Sequence, residues 1–96
     1  MTDPSVVVDA ERSRFESVVD GHTAFIDFRR DGNTIVLIHT EVPDELEGHG
    51  VGSALVRGAL EHIRAEHLAL VPQCPFVRSY IERHPDEAAG IDVRPV

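Results

Sequence analysis

Glu47-Gly48-His49-Gly50-Val51-Gly52 is the stretch on which the reading of this chain turns. Three glycines at alternate positions stand directly ahead of Val51, Ala54, Leu55, Ala59, Leu60 and Ile63. Those apolar residues recur at helical spacing, with Ser53, Arg57, Glu61 and Arg64 marking the opposite, wet face. A glycine-rich turn opening an amphipathic helix leaves the first backbone N–H groups unpaired. With the positive end of the helix dipole behind them and no side chains in the way, they suit a phosphate or pyrophosphate. One glycine would be explained by a tight turn alone. Three of them ahead of a well-formed helix point to an anion site.

Working outward, two familiar anion loops drop out. The Walker A loop places a lysine on the phosphates, and all nine basic residues here are arginine. A dinucleotide-binding loop needs G-x-G-x-x-G directly after a buried strand. Here the third glycine position falls on Ser53, and Pro43-Asp44-Glu45-Leu46 does not read as a strand.

The 96 residues suffice for one small domain, and the apolar content of 42% is ordinary for a globular fold. A net charge of -8 argues against nucleic acid or an anionic membrane as partner and leaves room for a cationic substrate. No apolar run approaches the ~20 residues of a membrane span and no signal peptide is visible, so the sequence predicts a cytoplasmic protein. A single cysteine forms no internal disulfide, which suits a reducing compartment.

Residues 1–13 lack a clear period and predict a mobile start. Arg14–Val19, Thr23–Arg29 and Thr34–Thr40 read as three strands separated by turns at Asp20-Gly21-His22 and Asp31-Gly32-Asn33, an antiparallel meander. After the loop and its helix, Leu68–Val71 is a short buried strand, which the helical crossover places parallel to the third. Pro75 to His84 reads as a second helix, with Phe76, Val77, Tyr80 and Ile81 sharing a face. The order is βββαβα, an α/β (α+β) sandwich in one domain.

The frame from Val42 to Gly52 resembles the acyl-CoA loop of the GNAT superfamily of N-acetyltransferases, whose pattern is Arg/Gln-x-x-Gly-x-Gly/Ala after a strand ending near Val-x-Pro. Pro72-Gln73-Cys74-Pro75-Phe76-Val77-Arg78-Ser79-Tyr80-Ile81-Glu82-Arg83-His84-Pro85 is similar to a signature of the minimal, single-domain GNAT branch. His39-Thr40-Glu41-Val42 and the spacing between loop and cysteine match that branch too. The resemblance runs from about Arg14 to Glu87. It departs from the pattern at Glu47, where GNAT loops carry Arg or Gln; a carboxylate beside a pyrophosphate is repulsive, so the backbone would do the binding.

The resemblance implies acetyl-CoA as cofactor and an amine as acceptor. The pyrophosphate would rest on the loop from Glu47 and Gly48 through His49, Gly50, Val51, Gly52 and Ser53. The pantetheine arm would run between the third and fourth strands beside Glu41, Val42 and Leu70, in the manner of an added strand. The thioester would reach Glu41, Cys74 and Tyr80. Cys74 has two readings, a small buried hydrophobe or a thiolate at a helix start that relays the acetyl group. Tyr80 falls in register with the tyrosine that protonates the leaving thiolate in many GNATs, and is equally a core residue with its hydroxyl at the rim. Glu41 would serve as general base, or belong with Asp44, Glu45 and Glu47 to a solvated acidic lip. No histidine pairs with a cysteine or carboxylate at zinc-ligand spacing, so no metal is expected. The chain also has no room for the N-terminal helices and C-terminal hairpin that shape the acceptor pocket in longer GNATs, so a partner or a second copy would complete it. A module that binds CoA without catalysis fits the same residues.

Overall fold

The computed structural model describes residues 6–96, and the expected βββαβα order stands within them, with one strand added at each edge of the sheet. Strands β1 (Val6–Asp9), β2 (Arg14–Val19), β3 (His22–Asp31) and β4 (Thr34–Glu41) form an antiparallel meander. Helix α1 (Val51–Ala65) crosses to β5 (Ala69–Pro72), parallel to β4, and α2 (Pro75–Arg83) leads on to the short strand β6 (Asp92–Val93), parallel to β5. The strands lie side by side in sequence order. Tight 3-10 turns at Asp44–Leu46 and Pro85–Ala88 follow β4 and α2.

Alternation along the strands sorts the sheet into two unlike faces. Phe15, Ala24, Ile26, Ile35, Leu37 and Leu70 point to one side, where they meet Leu55, Val56, Ala59, Leu60 and Ile63 of α1 and Val77 and Tyr80 of α2 in one buried cluster. Right-handed crossovers place both helices on this face. Each fully buried Leu, Ile or Phe there contributes about 2 kcal/mol relative to an exposed one. Opposite, no helix covers the sheet. Its residues form rows across the strands: Arg14, Asp27 and His39 in one, Glu16, Phe25 and Glu41 in the next.

Within the stretch 1–13, for which the sequence shows no clear period, Val6–Asp9 forms an additional strand that pairs in register with Arg14–Ser17; residues 1–5 lie outside the described residues. Three consecutive valines show no alternation to read. The strand is seated by a close approach to α1, where a Cβ on Gly58 would fall 2.7 Å from the Val6 side chain. Among the described residues, no helix is long and apolar enough to cross a membrane.

Candidate functional site

Two backbone events open a gap in the sheet. Asp27 pairs with His39 while the next residue, Phe28, pairs with Leu37, so Ile38 is an extra residue in β4. A bulge of this kind bends the strand that carries it. At the same level β5 stops: its last pair is Leu37 with Pro72, and the Leu37 carbonyl then accepts a hydrogen bond from the Cys74 N–H at 2.9 Å. Beyond this point β4 keeps β3 on one side and has no strand on the other. Its free edge offers peptide groups to a ligand or to water.

The glycine loop faces this gap. Gly50 is the N-cap of α1 and Gly48 lies two residues before it, both in the left-handed region at φ 74° and 82°, where a side chain is strained. No side chain caps α1, and its first turn holds no acidic residue. The N–H groups of Val51, Gly52 and Ser53 take no backbone acceptor among the described residues. Loop and strand edge enclose one cleft of about 510 Å³, lined by Thr40, Glu41 and Val42 of the β4 end, by Leu46, Glu47, Gly48, Gly50, Val51, Gly52 and Ser53, and by Phe76.

Most residues expected at the cofactor site are thus brought together around one cavity. His49 lies exposed in the loop and does not line the cleft. Leu70 is not brought there either. It pairs with Ile35 on one side, and its carbonyl accepts from the Arg94 N–H at 2.8 Å on the other, so its main chain is satisfied within the sheet. The gap begins beyond it.

The three candidate catalytic residues occupy three different places. Cys74 is the N-cap of α2 and is buried, its sulfur 3.3 Å from the Thr40 hydroxyl. Thr40 lines the cleft, so the thiol stands one side chain behind its wall. Glu41 lines the end of the cleft and accepts a hydrogen bond from the His39 ring nitrogen Nε2 at 2.9 Å. Tyr80 is buried, and its hydroxyl donates to Glu87 Oε1 at 2.6 Å, away from the cleft. Arg57 stands 3.5 Å from the same carboxylate oxygen. Burial and the bond to the Glu87 carboxylate, in that order, raise the Tyr80 pKa above its ordinary value.

Three lining residues, Thr40, Leu46 and Phe76, were not singled out from the sequence. Thr40 was not legible, because alternation from Ile35 and Leu37 would send it to the other face and the extra residue Ile38 switches the phase, pairing Thr40 with the core residue Ile26. Phe76 was grouped with the core face of α2, yet its ring is 38% exposed over the cleft. The ring tip lies where a Cβ on Gly52 would come within 2.9 Å of it, so a side chain at that position would have to push the ring aside. That contact joins two helix starts and cannot be seen in either one alone. Among the described residues, no group of His, Cys, Asp and Glu is arranged to hold a metal ion.

Known proteins resemble this chain in sequence and in fold. The sequence pattern of the GCN5-related N-acetyl-transferase family matches residues 14–91. Protein NATD1 of Mus musculus is 31% identical over 80 residues, covering 80% of this chain and 73% of its own. NATD1 of Homo sapiens is likewise 31% identical, over 80% of this chain and 71% of its own. The solution structure of a GCN5-like protein from Staphylococcus aureus superimposes with a TM-score of 0.70 at 27% identity, covering 96% of this chain and 91% of the other. The match takes in the glycine loop, the bulged strand and the cysteine segment together, and the chain belongs to the family of GCN5-related N-acetyltransferases.

Proposed function

We propose that the protein binds acetyl-CoA in the cleft between the glycine loop and the β4 edge and transfers its acetyl group to an amine. The observation that carries this reading is the loop itself. Uncapped N–H groups open α1, left-handed glycines precede them, the first helical turn has no carboxylate, and a cavity lies directly in front. Such a helix start favours a pyrophosphate by fixed dipoles without any lysine. Glu47 is exposed, so its carboxylate has room to turn into solvent. The unpaired edge of β4 suits the amide groups of a pantetheine arm, which would add to the sheet there. A carbonyl held against a strand N–H is polarised toward attack.

Cys74 is the nearest nucleophile behind the cleft wall, and Glu41 is the carboxylate at the cleft's end that would draw in an ammonium group. Tyr80 would reach a leaving thiolate only by exchanging its bond to Glu87. That one observation favours the second reading, a module that binds CoA without turnover.

Incubation of the protein with acetyl-CoA alone, followed by intact mass measurement, separates the alternatives. One added acetyl group on Cys74 that passes to an added amine establishes a relay. Absence of an adduct, with acetyl transferred directly to the amine, establishes direct transfer. Protection against heat by CoA without transfer to any amine leaves the binding module. The absence of both adduct and protection contradicts the cofactor assignment.

A further inference from the structure

We infer that the acceptor amine approaches from the helix-free face of the sheet and that His39, held by Glu41, takes the proton of its ammonium group. The inference rests on the acetyl-transfer reading above and adds a residue and a direction to it. Successive β4 residues point to opposite faces, so Thr40 and the Cys74 thiol lie on the helix side while His39 and Glu41 stand on the other. Glu41 belongs to both places, since it lines the cleft and holds the His39 ring at 2.9 Å. The ring therefore stands one hydrogen bond from the cleft wall, beside the gap where β5 has ended.

The surrounding charges favour a cation on this face. Asp27 lies directly across from His39 on β3, and its carboxylate is engaged by Arg14 of β2 at 3.1 Å. Arg14 also lies over the Phe25 ring, 3.7 Å from its centre, so this guanidinium is held on the far side of the row. Glu16 of β2 faces the same surface, and its Oε2 is covered and finds no hydrogen bond among the described residues. Past the end of β5, Gln73 adds no charge. Arg29 of β3, two residues beyond Asp27, faces this surface as well. Three carboxylates and two arginines, Arg14 being paired with Asp27, thus share the face with the imidazole and leave it net negative, which favours a primary alkylammonium over an anion.

The proton balance is simple. Nε2–H donates to the Glu41 carboxylate, which fixes Nδ1 as the acceptor of the ring. The ammonium gives one proton to Nδ1, and the carboxylate stabilises the imidazolium so formed. The neutral amine nitrogen attacks the acetyl carbonyl; a C–N bond forms and the C–S bond breaks. The second amine proton ends on the departing sulfur, and the imidazolium returns its proton to water. Here His39 is the catalytic residue and Glu41 acts through it as well as at the cleft.

Two measurements test this. Ring 15N NMR of the free protein above neutral pH should show the proton of His39 on Nε2, and a proton on Nδ1 overturns the proposal without touching the cofactor assignment. Transfer from acetyl-CoA to spermidine and to Nα-acetyl-lysine methylamide should fall roughly 100-fold in kcat at neutral pH for His39→Gln. Affinity for acetyl-CoA should stay unchanged, and the loss should shrink as pH rises and the amine deprotonates by itself. Glu41→Gln, which keeps a hydrogen-bond acceptor for Nε2–H but no charge, should lower kcat less than His39→Gln does. An unaltered pH profile in His39→Gln overturns the proposal alone. Acetyl-CoA that fails to bind the wild type, or binds without transfer, overturns it together with the acetyl-transfer reading.

Discussion

Tyr80 shows how one residue ties the C-terminal segment to the core. Its hydroxyl meets Glu87, whose carboxylate also faces Arg57, while Arg64 donates to the main-chain carbonyls of Glu87 and Ala89. Removing the hydroxyl in Tyr80→Phe should cost about 1 kcal/mol at neutral pH, read from the denaturant midpoint. The raised pKa has a direction in stability as well. The unfolded chain ionises near the ordinary value of 10.0 while the folded phenol holds its proton, so the stabilisation is complete below that pH and is lost as pH rises through the folded value. The wild type should therefore lose stability more steeply than Tyr80→Phe above pH 10, and parallel curves would rule out a buried, bonded phenol. Gly50 is the second decisive residue. At φ 74° an alanine there is strained by about 1–2 kcal/mol, and the strain falls on the loop that faces the cleft. Gly50→Ala should lower both the melting temperature and the affinity for CoA, as seen in a thermal shift series.

At the scale of elements, β2, β3, β4, β5 and both helices were legible because each carries its own signal. β2 alternates loosely, β3 and β4 are apolar runs set between turns, α1 repeats its apolar face, and α2 opens on Pro75. The edge strands carry none. β6 is two residues long and exposed, and β1 is a run of valines whose strand state depends on the room that α1 leaves at Gly58. Gly58→Ala tests that dependence, because two effects of opposite sign compete. Alanine gains about 1 kcal/mol of helix propensity over glycine. Its Cβ would stand 2.7 Å from branched Val6 atoms fixed close to the backbone, an overlap costing about 1–3 kcal/mol. The clash should win, giving a net loss on unfolding, and Val6→Ala in the same chain should recover part of it. A stabilised single variant would mean that β1 does not rest on α1.

For the molecule as a whole, the site arises where the sheet changes its rule, from antiparallel pairs to a parallel pair that ends early. The glycine loop was legible because its chemistry sits in consecutive residues. The gap was legible only in outline, since the bulge at Ile38 and the stop at Pro72 are pairings between distant strands. The direction of the Tyr80 hydroxyl depends on Glu87 beyond the end of α2 and on Arg57 of α1, and the place of Phe76 depends on Gly52 of α1, partners that no local pattern names. Binding in this cleft has a global consequence too. Acetyl-CoA at 100 times its Kd should stabilise the fold by about 2.7 kcal/mol, a rise in Tm on the order of 10 °C for a domain of this size. The most direct test of the whole account is an amide NMR titration of the protein with CoA. The account predicts shifts concentrated at Gly48 to Ser53 and along Thr40 to Val42. Amides that stay still there, or shifts gathered instead around Arg57 and Arg64, would contradict it.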